Sequence, residues 1–147
     1  MNTALQNTNE EQYHKIAFSS ASDERTLPAW VYIPKNVDAD EPPLIAIHGI
    51  RREAESMIKH LKKASNGKRA IIVPIFSQQE WPKYQQAIRR GRADIALIRL
   101  LEQLHIEGIV TLREFALFGF SGGAQFAHRF AMLYPEKIVS LCICAAG

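Results

Sequence analysis

A chain of 147 residues with 47% hydrophobic and 22% charged residues has material for one core. Folding at this size buries about 70% of the surface of the unfolded chain, so neither a disulfide scaffold nor a structural metal is required. The net charge of +3 comes from dispersed pairs such as Arg51-Arg52, Lys62-Lys63 and Arg89-Arg90, which read as solvated helix faces and argue against a nucleic-acid-binding stripe. The apolar runs fall well short of the ~20 residues of a membrane helix, and the Asn/Gln/Thr/Glu-rich start lacks the layout of a signal peptide. The expectation is one cytoplasmic domain over residues 1–147, with residues 1–12 disordered.

In chain order, Tyr13 to Ser20 and Leu27 to Pro34 are short extended runs joined by the polar segment Ala21 to Arg25, an opening hairpin. Leu44-Ile45-Ala46-Ile47 is apolar on both faces, as a strand in a sheet covered on both sides must be. Ala54, Met57, Ile58, Leu61 and Ala64 recur at helical spacing, and Asn66-Gly67 supplies a left-handed stop. A second buried strand follows at Ala70 to Phe76, then an aromatic loop from Ser77 to Tyr84 and a helix marked by Leu97, Ile98, Leu101 and Leu104. Phe115 to Phe118 is a third buried strand, broken by Gly119-Phe120-Ser121-Gly122-Gly123. The alanines and phenylalanines between Ala124 and Leu133 form a helix ended by Tyr134-Pro135, and Ile138 to Ala146 reads as a fourth strand. Cys142 and Cys144 sit side by side on that strand, poorly placed to bridge each other, and are expected as small core residues. No His joins them at ligand spacing, so no metal site is expected.

Alternating strands and helices imply an α/β fold: a mostly parallel sheet with helices on both faces, preceded by an antiparallel hairpin. Ligands bind such sheets beyond the carboxyl ends of the strands. Three connections leave those ends: His48 to Glu53, Ser77 to Gln86, and Gly119 to Gly123.

The last of these fits G-x-S-x-G between a buried strand and a buried helix, the context the motif demands. Turning so sharply forces Ser121 into a strained conformation, and a side chain at Gly119 or Gly123 would collide across the turn. The hydroxyl is then held at a helix N-terminus, where amides and the helix dipole favour an oxyanion. The competing reading is an ordinary serine capping the helix. His48-Gly49, ending the first buried strand, supplies the second half: the amides of Gly122 and Ile50 are the expected oxyanion donors, with Gly49 letting the backbone turn.

On these residues the chain resembles the α/β-hydrolase family, from about Pro43 onward, through the His-Gly dipeptide, the GFSGG bend, the Ala-rich helix with Tyr134-Pro135-Glu136-Lys137, and the strand after it. The resemblance implies a serine nucleophile at Ser121, a histidine base and an acidic partner, acting on esters, amides or related bonds without metal or organic cofactor. Family order is nucleophile, acid, histidine, yet downstream of Ser121 the only histidine is His128 and the only acid is Glu136. His128 falls about 10 Å along the following helix, and Glu136 at the opposite end of the sheet, so neither fits. The expected fold is accordingly an incomplete α/β-hydrolase domain.

His48 ends a strand expected beside the nucleophile strand, where spacing is about 4.8 Å. It is read chiefly as support for the oxyanion loop, with a base role the lesser alternative. Glu53 and Glu55 read as helix-start carboxylates, and His14, His60 and His105 as surface residues. Arg51 and Arg52 either face solvent or hold a substrate anion, while Phe76, Trp81 and Tyr84 either wall a pocket or pack the loop onto the next helix.

Two functions follow as expectations. One is a serine hydrolase for a small acyl substrate, inactive or very slow as this chain. The other is a non-catalytic binding module, associating with itself or with a C-terminal-half partner through Ile138 to Ala146, an edge strand left uncovered.

Overall fold

The computed structural model describes residues 13–20, 23–89, 91–111 and 113–147. The expected disorder of residues 1–12 lies outside these. Strands β1 (Tyr13–Ser20) and β2 (Asp23–Tyr32) form the opening hairpin, paired antiparallel from Tyr13 opposite Tyr32. The link is shorter than the sequence suggests, since Asp23, Glu24 and Arg25 belong to β2; residues 21 and 22 lie outside the described residues.

Strands β3 (Leu44–Ile47), β4 (Ile71–Pro74), β5 (Phe115–Phe120) and β6 (Ile138–Cys144) complete a six-stranded sheet in the order β1-β2-β4-β3-β5-β6. The β3–β4, β3–β5 and β5–β6 pairs are parallel, and β2 meets β4 antiparallel. β3 is thus central, with Ile47 opposite Gly119 of β5. That register sets the end of β3 beside the bend that follows β5.

The period-2 alternation of strand side chains divides the core. Ala46, Ile71, Val73 and Tyr32 face helix α1 (Ala54–Ala64), which buries Ala54 and Ile58 against them. Ile45, Ile47, Ile72, Val31 and Leu117 face the other way, beneath helices α2 (Ala93–Ile106) and α3 (Gly122–Leu133). Helices therefore cover both faces, as the doubly apolar β3 requires. α1 ends on its basic last turn, with Gly67 in the left-handed region at φ +70. None of the helices among the described residues is long and apolar enough to cross a membrane.

β6 is the uncovered edge strand expected from the sequence, but the cysteines expected to be buried on it are not: it lies at the sheet edge, and Val139, Leu141 and Ile143 are exposed on one face while Cys142 and Cys144 are exposed on the other. The cysteines are not core residues. Among the described residues β6 pairs on one side only, with β5, and α1 packs over β4 and β2 instead of over it, so apolar composition does not bring burial there.

α2 also holds a cluster absent from the sequence reading. Arg92, left-handed at φ 47, precedes the helix and makes a two-pronged contact with the buried Asp94, Nε to Oδ1 at 2.9 Å and Nη2 to Oδ2 at 2.8 Å. The Tyr134 hydroxyl, just past α3, donates to Asp94 Oδ2 at 2.7 Å. Burial pushes the Asp94 carboxyl up, and the hydrogen bonds from Arg92 and Tyr134 outweigh it, leaving its pKa below the ordinary value. The start of α2 is thereby tied to the end of α3.

Candidate active site

Ser121 joins β5 to α3 with φ 55 and ψ −118, a region that costs a residue with a Cβ on the order of 1–3 kcal/mol. The glycines on either side make the bend possible. A Cβ on Gly119 would lie 2.6 Å from the Gly123 carbonyl carbon, and one on Gly123 would lie 2.5 Å from the His48 carbonyl oxygen and closer still to that of Ile47. Both obstacles are backbone and cannot swing away. Ser121 N–H donates to Cys144 O at 2.9 Å, which anchors the bend to β6, and its carbonyl accepts the amides of Ala124 and Gln125 in the first turn of α3.

The serine side chain makes no capping hydrogen bond to α3, so the ordinary cap reading fails. Its hydroxyl is left without a hydrogen-bond partner among the described residues and lines an open cleft of about 670 Å³ with Ile50, Met57, Leu61, Phe118 and Phe120.

The loop after β3 is a tight turn closed by Arg52 N–H donating to Gly49 O at 2.9 Å. It approaches the start of α3 so closely that a Cβ on Gly122 would meet Ile50 Cγ2 at 2.7 Å, the Tyr84 hydroxyl at 3.1 Å and the Ile50 amide nitrogen at 3.6 Å. The Ile50 amide thus lies beside the Cα of Gly122. Neither residue's amide donates in a turn or loop hydrogen bond among the described residues.

His48 is buried, and both ring nitrogens are engaged. Phe76 N–H donates to Nε2 at 3.0 Å, which fixes that nitrogen as unprotonated, so Nδ1 carries the hydrogen and donates to Gly49 O at 2.9 Å. Burial, with a smaller push from the Arg52 charge, lowers the ring's pKa from 6.5 to about 4. A ring so held has no free nitrogen to offer Ser121.

The aromatic loop packs inward. Phe76, Trp81 and Tyr84 are all buried, Phe76 against Phe126 of α3 at 5.4 Å between ring centroids, which decides between the two sequence readings in favour of packing. Arg52 follows neither alternative, since it neither faces solvent alone nor points at the cleft as a free cation. Its guanidinium donates to the carbonyls of Phe76 and Pro82 and to Gln78 Oε1, and stacks 4.9 Å from the Tyr84 ring. Arg51 is exposed, His128 is exposed on α3, and Glu136 lies in the 3-10 turn before β6, so neither of the latter two approaches Ser121. His60 is exposed with Nδ1 on the Ser56 carbonyl at 2.7 Å. The three connections expected to form a site do converge. The residues the sequence reading underrated are Arg52 and Tyr84, whose spacing along the chain carries no signal of their meeting.

No protein-family model matches the sequence, and no curated protein matches it either. Solved structures do. Poly(aspartic acid) hydrolase-1 from Sphingomonas sp. KT-1 superposes on 90% of this chain with a TM-score of 0.74 at 20% identity, and the match spans 55% of that protein. LpqC, a poly(3-hydroxybutyrate) depolymerase from Bordetella parapertussis, superposes on 90% of the chain with a TM-score of 0.73 at 22% identity, over 51% of its length. The fluorophosphonate-binding serine hydrolase FphF from Staphylococcus aureus gives 0.70 at 16% identity over 89% and 55%. This is the α/β-hydrolase fold, in part. The chain spans about half the length of these solved structures.

Proposed function

We propose that this chain carries the nucleophile and the oxyanion-binding half of a serine hydrolase acting on a small ester or related acyl substrate. Ser121 Oγ attacks the carbonyl carbon, and the Gly122 and Ile50 amides donate to the oxygen as it becomes negative. Collapse of the tetrahedral species expels the alcohol and leaves an acyl-serine, which water then hydrolyses. The observation that carries this reading is the strained, uncapped Ser121, with the Ile50 amide beside the Cα of Gly122.

The proton acceptor is the missing part. His48 has no free nitrogen, and no histidine among the described residues hydrogen-bonds Ser121. On this reading a polypeptide segment outside these residues supplies the histidine and its acidic partner, and the chain as given turns over slowly or not at all. Loss of one triad member leaves about 10³–10⁴-fold catalysis over water from the remaining groups. No metal or organic cofactor enters the proposed chemistry.

The test is intact-mass analysis after prolonged exposure to a fluorophosphonate. One adduct per chain, absent in Ser121→Ala, is the expected result; a well-folded chain that takes no label refutes it. That second outcome favours the other reading, a binding module that associates through β6, for which the exposed edge and faces of that strand speak.

A further inference from the structure

The loop that presents the Ile50 amide has little to hold it by sequence: its turn, Gly49 to Arg52, is four residues long, and Ile50 and Arg51 are exposed. Its carbonyl anchor, Gly49 O, accepts two bonds, from His48 Nδ1–H and from Arg52 N–H. These fix the turn's internal shape but not its distance from α3. Two side chains link the turn to its surroundings. The Tyr84 hydroxyl donates to His48 O at 2.7 Å and also sits 3.1 Å from the point where a Gly122 Cβ would be. It therefore touches the start of the loop and the start of α3 together. Arg52, at the far end of the turn with φ 60, reaches back to the carbonyls of Phe76 and Pro82 and covers the Tyr84 ring.

We propose that Tyr84 and Arg52 are positioning residues that hold the Ile50 amide opposite the Gly122 amide, so that the two donors converge on one oxygen. Neither touches the reacting atoms. A donor pair is useful only if its geometry is set before charge develops, and here one end of the turn is pinned by a buried phenol and the other by a guanidinium spanning three acceptors. Burial pushes the Tyr84 hydroxyl up to about 12, against the opposing pull of the Arg52 charge, so it stays a donor throughout the neutral range. The inference rests on the hydrolase reading for its chemical meaning, but its geometric content stands separately.

The test uses Tyr84→Phe, which keeps the ring that stacks on Phe76 at 5.5 Å and meets His48 edge-on at 5.0 Å, and Arg52→Lys, which keeps the charge but not the fan of donors. In amide-resolved NMR of the whole chain, both variants are expected to move the Ile50 and Gly122 resonances and leave those of Phe126 and Phe130 in place. A role confined to general packing would move the latter. Fluorophosphonate labelling of Ser121 is expected to slow by about 10- to 100-fold, the scale of a donor displaced but not deleted. Unmoved Ile50 and Gly122 resonances in Tyr84→Phe would overturn the proposal even where labelling of the native chain succeeds. Moved resonances with no labelling of the native chain would sink the hydrolase reading and leave the positioning role standing.

Discussion

Mild acid is expected to destabilise the fold through His48, before the carboxylates protonate. In the folded chain the ring is buried and its Nε2 accepts from Phe76 N–H, a bond that a proton on that nitrogen would replace with a donor–donor clash. The folded ring therefore resists protonation until about pH 4, whereas an unfolded histidine takes its proton near 6.5. Between these values the unfolded state binds more protons, so stability rises with pH: it is fully present above 6.5 and is lost as pH falls toward 4. The loss amounts to about 2 kcal/mol by pH 5 and about 3 kcal/mol by pH 4, a substantial part of the 5–15 kcal/mol on the order of which domains are stable. Urea unfolding at pH 7.5, 6 and 5, compared between the native chain and His48→Asn, isolates the effect, since every other titrating group is common to both. The variant is expected to be weaker at pH 7.5 by about 1–3 kcal/mol for the lost hydrogen bond and to close that gap as pH falls. A difference that stays constant from pH 7.5 to 5 would refute the buried, neutral ring.

Gly123→Ala is expected to cost more than about 2 kcal/mol or to prevent folding, because its methyl would meet the Ile47 and His48 carbonyls. Gly67→Ala, left-handed but with nothing within 4 Å of the new carbon, should cost only about 1 kcal/mol; equal thermal melts for the two would contradict the account of the bend. Tyr134→Phe should lose about 2 kcal/mol in urea by taking a donor from the buried Asp94 carboxylate, and an unchanged midpoint would show that Arg92 alone suffices. The native chain is expected to self-associate in light scattering through β6, with Leu141→Lys and Ile143→Lys raising the monomer fraction; a native monomer at high concentration would count against an adhesive edge.

The β3, β5 and α3 region was legible in sequence because its signals are local: an apolar tetrapeptide, a glycine-framed serine and an alanine-rich helix. The α/β sheet with helices on both faces followed from the same alternation. β6 was legible as an uncovered edge, but Cys142 and Cys144 on it misled, because an apolar run reports what a strand would bury and burial depends on what covers it. Arg52 read as a loop cation because its partners Phe76, Gln78 and Pro82 lie more than twenty residues on, brought close only by the pairing of β3 with β4. Asp94 was invisible for the same reason, its bond to Tyr134 joining two helices that the sequence separates. His48 was legible as the end of a buried strand, while the engagement of both its nitrogens required Phe76 to be placed.

The most direct measurement is the crystal structure of the chain after reaction with a fluorophosphonate. Phosphorus bonded to Ser121 Oγ, with the phosphoryl oxygen within hydrogen-bonding distance of both the Gly122 and the Ile50 amides, is the predicted result. An adduct on another residue, or an oxygen turned away from both amides, would contradict it.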